Sequence, residues 1–210
     1  MQVGMTAAQV EALFMRGDGG FLVARWGRPI VPVLFGVEDD TLRVVKGALE
    51  AVVALAGHKM AETDMELGAN LMVFFVRDWD ELLSVPNLAR LVEGLEPLVA
   101  RLQSAGANQY RVFRFDAGGA IRAAFVFIRM DADLSAVPVE VLALSQAVQV
   151  ILLWSDRAFV GMSPLVEAGG RVILRPEIGA LIRAAYDPVL PAMSRDAAHA
   201  YRLAARLTVS

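Results

Sequence analysis

The sequence predicts an α+β fold, and three observations carry that prediction. Short runs rich in Val, Ile and Phe alternate with longer segments whose apolar residues recur at helical spacing. Of the 210 residues, 56 % are hydrophobic and 20 % charged, which excludes a disordered chain and supplies an ample core. No repeat, low-complexity tract or linker divides the chain, so residues 1–210 read as one α+β domain.

Thr6 is the expected N-cap of a first helix over 7–15, with Val10, Leu13 and Phe14 on one face. Gly17-Asp18-Gly19-Gly20 ends it as a loop. The strand pattern over 21–35 is interrupted by Pro29 and Pro32, which predicts a short, bulged or edge strand. Asp39 or Asp40 is expected to cap a helix over 41–56, where Leu42, Val45, Leu49, Val52 and Val53 form a stripe and Gly57 suits its end. A short strand at 59–63 and a fully buried one at 71–76 follow. A helical insertion occupies 78–106, with helix over 79–104 broken near Pro86 and Pro97. Residues 108–115 and 121–130 read as a hairpin across Asp116-Ala117-Gly118-Gly119. An apolar helix at 138–154, a Gly/Ser/Pro-rich loop and helices at 176–186 and 194–207 complete the chain.

Composition excludes much chemistry. Zero Cys removes disulfides, thiolate metal sites and thiol nucleophiles, and two His, His58 and His199, leave little for a zinc site or a Ser-His-Asp triad. A net charge of −3 gives no footprint for nucleic acid. Mean hydropathy is +0.50, yet the longest apolar run, 137–154, is interrupted by Glu140, Ser145, Gln146 and Gln149. It therefore predicts a buried helix, not a transmembrane segment. No basic-then-apolar start marks a signal peptide, so a cytoplasmic location is expected, or an exported one if a signal preceded Met1.

The element order resembles the N-terminal half of zincin-type metallopeptidases, where a mixed sheet backs a helix bearing His-Glu-x-x-His. Particular residues sharpen the resemblance: Arg25-Trp26-x-x-Pro29-Ile30, Gly57-His58, Asn70, Gln146-Ala147, Ser163-Pro164, and the run from Leu181 through Tyr186-Asp187-Pro188, with Leu190, Met193 and Ala197 beyond it. On these the chain, from about Arg25 to its C-terminus, resembles the bacterial domain-of-unknown-function 2927 family, whose members are often exported lipoproteins. The resemblance implies a zincin-like mixed sheet packed on a central apolar helix, with C-terminal helices. Relatives place acidic residues, sometimes His, just before the Leu-x-Gln kept here as Leu144-Ser145-Gln146, and those positions are Leu142 and Ala143. Neither can bind a metal or move a proton.

Candidate site residues are accordingly few. His58 reads as a turn residue meeting the last helical carbonyls, with a cleft-lining role as the alternative. His199 is expected on a solvated helix face near Arg195, Arg202 and Arg206. Asp131, Asp133, Glu140 and the run Glu38-Asp39-Asp40 read as helix-capping groups. Ser145, Gln146 and Gln149 form a polar strip on the apolar helix, facing either a structural hydrogen-bond network or a ligand cleft. No catalytic residue, metal ligand or cofactor is assigned. The expected function is a non-catalytic zincin-like binding or assembly module. A peptidase-like hydrolase with a non-standard site, such as His58 with Glu140, and a small-ligand-binding domain are the alternatives. Expected partners are an unidentified protein, a second copy of the chain or a small ligand.

Overall fold

The computed structural model describes residues 4–62 and 68–207, and its first element is helix α1 (Ala7–Ala12). The expected Thr6 cap forms: Gln9 N donates to Thr6 Oγ1 at 3.2 Å, and Thr6 N donates to Gln9 Oε1 at 2.8 Å. The 21–35 pattern divides into β1 (Val23–Ala24) and β2 (Pro32–Phe35). Pro32 opens β2 at the edge of the main sheet, where a missing donor is tolerated. Helix α2 (Asp39–Leu55) begins earlier than expected, because Glu38 takes the N-cap position without a side-chain bond. Asp39 and Asp40 fall in its first turn, at the positive end of the helix dipole. Gly57, at φ 67, turns the chain so that its own N donates to Ala54 O at 2.9 Å and His58 N donates to Val53 O at 3.0 Å.

The strand expected at 59–63 shrinks to one bridge between Met60 and Ile30, and Thr63 lies outside the described residues. Strand β3 (Leu71–Val76) is buried as its composition predicts. The helical insertion follows as a 3-10 turn (Trp79–Ser84), α3 (Leu88–Leu91) and α4 (Leu95–Ser104). Its first break falls at Pro86. The second comes before α4, and Pro97 sits inside that helix's first turn, where its missing N–H is not needed. Strands β4 (Gln109–Phe115) and β5 (Ile121–Arg129) form the expected hairpin.

The main sheet runs β2-β3-β5-β4, with β2, β3 and β5 parallel and β4 antiparallel at the outer edge. Alternation along the inner strands sends Leu71, Val73, Phe75, Val126 and Ile128 to one core and Phe74, Val76, Phe125 and Phe127 to the other. The insertion covers the second face. The first is covered by α2 and by α6 (Val139–Ile151), which follows the short α5 (Ala132–Ser135). Asp131 caps α5 as expected, its Oδ1 accepting from Leu134 N at 2.9 Å.

Helix α6 stops at Ile151, not at 154, and the cause lies in side chains distant in sequence. Trp26 Nε1 donates to Val150 O at 2.8 Å and Tyr186 Oη donates to Ile151 O at 2.8 Å. These donors take the terminal carbonyls, and the chain continues extended, with Leu153 N donating to Ala24 O at 2.9 Å. The region expected to be loop contains a hairpin, β6 (Leu165–Ala168) and β7 (Arg171–Leu174), across Gly169-Gly170. Helix α7 (Pro176–Ala185) agrees with its pattern. Ser194, expected to begin the last helix, instead belongs to β8 (Met193–Ser194), paired with β1, and α8 (His199–Leu207) starts later. His199 is 2 % exposed, a correction to the solvated face expected for it, because α8 packs against α1 and α7. Among the described residues, no helix is long and apolar enough to cross a membrane.

Candidate functional site

The alternation of β4 brings Gln109, Arg111 and Phe113 to the side of α6 and turns Tyr110 and Val112 toward the insertion. Arg111 Nη2 donates to Gln146 Oε1 at 2.5 Å and to Gln109 Oε1 at 3.0 Å, and Gln146 Nε2 donates to Gln109 Oε1 at 2.8 Å. Arg111 Nε is buried with no acceptor. Burial pushes the Arg111 pKa down to about 10, and no carboxylate offsets it. A guanidinium held by two neutral amides is an undercompensated charge.

Arg111 borders an open cleft of about 720 Å³ along the outer edge of β4. Its walls come from α4, from β4, from Gln149 on α6 and from residues 153–160. Leu153, Trp154, Phe159 and Phe113 supply apolar surface, and Ser155, Gln109 and Gln149 supply hydrogen-bonding groups. Arg16 enters from the loop after α1. It donates to Trp154 O at 2.8 Å, Leu153 O at 3.3 Å and Leu22 O at 3.4 Å, while its Nε has no acceptor. Burial lowers the Arg16 pKa first of all, and the charges of Asp156 and Asp18 oppose that effect. Arg101 lies at the exposed rim, its guanidinium 5.3 Å from the Tyr110 ring centroid.

The polar strip of α6 is divided between two sites. Gln146 is 5 % exposed and joins the Arg111 network, Gln149 faces the large cleft, and Gln149 Nε2 donates to Ser145 Oγ at 2.9 Å. Ser145 and Gln146 also line a smaller hollow of about 300 Å³ beneath the β6–β7 hairpin. His58 is elsewhere. Its Nε2 is 2.8 Å from Arg28 O, and its ring lies 5.2 Å from that of Tyr186. The side chain thus meets a loop carbonyl; only the His58 backbone closes α2. Tyr186 bonds the C-terminal end of α6, whereas Glu140 lies in that helix's first turn, roughly 16 Å away along the axis. His58 and Glu140 are not brought together.

Leu142 and Ala143 border an apolar hollow of about 320 Å³ at the ends of β2, β3 and β5. Among the described residues, no group of three or more His, Asp or Glu could hold a metal ion.

Arg111, Gln109 and Arg16 are the cleft residues that the sequence reading misses. The signal for the first two lies in β4 itself, whose inward-facing positions read Gln, Arg, Phe where an ordinary core strand is apolar throughout. Arg16 carries no comparable local signal. Comparison with family models, with curated proteins and with solved structures finds no match to this chain.

Proposed function

We propose that this chain is a non-catalytic, zincin-like binding module that takes a small ligand in the cleft beside β4. The observation that carries the reading is convergence: Arg16, Gln109 with Arg111 on β4, Gln149 and Ser155 come from four stretches of chain and line one cleft with apolar walls. The apolar pair Leu142 and Ala143 supports binding over metallopeptidase chemistry. Kinship with the 2927 family is part of this proposal. The residues of that resemblance serve as framework here: Trp26 N meets Tyr186 Oη at 3.3 Å, and the Arg25 guanidinium stacks 5.5 Å from the Tyr186 ring centroid.

A thermal-shift screen of small metabolites tests the function. Hits are expected, and they should weaken in Gln149→Ala; hits indifferent to Gln149 would place binding elsewhere. Stoichiometric zinc surviving dialysis of untagged protein would overturn the non-catalytic reading.

Self-association is a second reading, favoured by the apolar groove where exposed Phe35 stacks on Phe74 at 4.6 Å beside Leu88 and Leu91. Light scattering that shows a monomer at high concentration would remove it.

A further inference from the structure

We propose that the ligand of the β4 cleft is a monocarboxylate with an apolar body, its carboxylate paired with Arg111. The inference rests on the binding function proposed above and names the chemistry of that site.

Charge accounting within the cleft leads to a single negative group. Arg16 has Asp156 and Asp18 as electrostatic partners. Arg101 is exposed, in contact with water and with the Tyr110 ring and hydroxyl. Arg111 is half-buried, with an Nε that is shut off from solvent and has no acceptor, and it alone of the three lacks both a carboxylate partner and full exposure, so one positive charge is left to be matched. Both of its protein acceptors meet Nη2, and both are neutral amide oxygens. They orient the guanidinium without neutralising it, and Nη1 is left to an incoming anion. A planar carboxylate carries the one charge required and matches the planar donor geometry. A phosphate monoester, close to doubly charged at neutral pH, would bring an excess negative charge into the same desolvated space.

The body of the ligand follows from the walls. Phe113, Leu153, Trp154 and Phe159 line the cleft around the polar groups, and its volume of about 720 Å³ admits a ligand well beyond acetate in size. Gln149 and Ser155 offer neutral partners for a hydroxyl or amide on that body.

The test uses three probes on the full chain: phenylacetate, its neutral amide phenylacetamide, and phenyl phosphate. Binding is followed by NMR through the Trp154 indole N–H. Phenylacetate should bind at least tenfold tighter than phenylacetamide, and the preference should vanish in Arg111→Met and survive partly in Arg111→Lys. Equal binding of acid and amide would overturn the charge assignment while leaving the binding function intact. Tighter binding of phenyl phosphate than of phenylacetate would overturn the monocarboxylate assignment. No binding by any probe would remove this inference, and the binding function falls only if the wider metabolite screen is also empty. The acid–amide comparison is made on the wild-type chain, so it stands even if a variant fails to fold.

Discussion

Arg111 on β4 and Gln146 on α6 are joined by a 2.5 Å hydrogen bond that ties the outer strand of the sheet to the helix covering it. The bond has an amide on one side and a charge without a counter-ion on the other, so the two partners should respond oppositely to removal. Gln146→Leu leaves Arg111 with one acceptor in a desolvated place. It should lower stability by about 2 kcal/mol, the range for hydrogen bonds to charged groups. Arg111→Met removes the buried charge and retains most of the side-chain volume, so it should be neutral or stabilising by about 1 kcal/mol in the ligand-free protein. Urea denaturation of the two single variants and the double variant reads both. A large loss in Arg111→Met would mean that the guanidinium is a structural tie and not a charge held for a ligand.

Tyr186 supplies a second tie, of a different kind. Its buried hydroxyl donates to Ile151 O and accepts from Trp26 N, so one oxygen serves the end of α6 and the chain leading into β2. Burial also raises its pKa well above the ordinary tyrosine value, which keeps the hydroxyl a donor at any working pH. Tyr186→Phe should cost about 1–3 kcal/mol, because both backbone groups lose their partner inside the core. Hydrogen exchange should then show faster exchange at Trp26 N, and unchanged protection there would contradict this assignment.

The sheet and its helices were legible because hydrophobic period and punctuation agree with tertiary demand. The β4–β5 turn, the Gly57 helix stop and the buried β3 run all follow from local chemistry. Element ends depart from their local pattern where a distant group decides. Helix α6 has the composition to reach 154 but is cut at Ile151 by donors from Trp26 and Tyr186, which no local pattern reveals. Ser194 looks like a helix cap, yet pairing with Val23 holds it in a strand. The candidate site was half legible for the same reason. The strip of Ser145, Gln146 and Gln149 follows from helical spacing, whereas its partner Arg111 becomes visible only when β4 is laid beside α6.

The two histidines give the protein an acid-sensitive window. Burial lowers the His199 pKa first, the charges of Arg202 and Arg206 lower it further, and Asp196 opposes them. Burial also leads for His58, helped by Arg25 and opposed by the bond to Arg28 O. Each ring thus binds its proton less readily folded than unfolded, where the ordinary value is 6.5. The unfolded chain takes up more protons below that value, so stability is complete above it and falls as the pH drops through it. Urea midpoints should therefore decline between about pH 7 and pH 5, and His199→Leu should flatten part of the decline. A midpoint rising over that interval would contradict the direction of both shifts. Asp131 and Asp187 act in a separate, lower window. Their pKa values are depressed, the first chiefly by the Leu134 N–H and the second chiefly by Arg206, so their contribution is lost only as the pH falls below the ordinary 3.8.

Two glycines with similar positive φ should differ sharply in their tolerance of a methyl group. Gly57 has φ 67 and nothing within 4 Å of an added Cβ, so Gly57→Ala should cost only the left-handed strain, about 1 kcal/mol. Gly36 has φ 79 at the end of β2, and an added Cβ would lie 2.1 Å from Phe75 O on the neighbouring strand. That oxygen is backbone and cannot swing aside. Relief requires the end of β2 to move away from β3, at the point where Phe35 pairs with Phe74. Gly36→Ala should therefore cost about 3 kcal/mol or more, the strain plus a disrupted strand end. Urea denaturation of the two variants side by side checks the contrast. Equal losses would show that φ alone sets the cost and that the approach of Gly36 to Phe75 adds nothing.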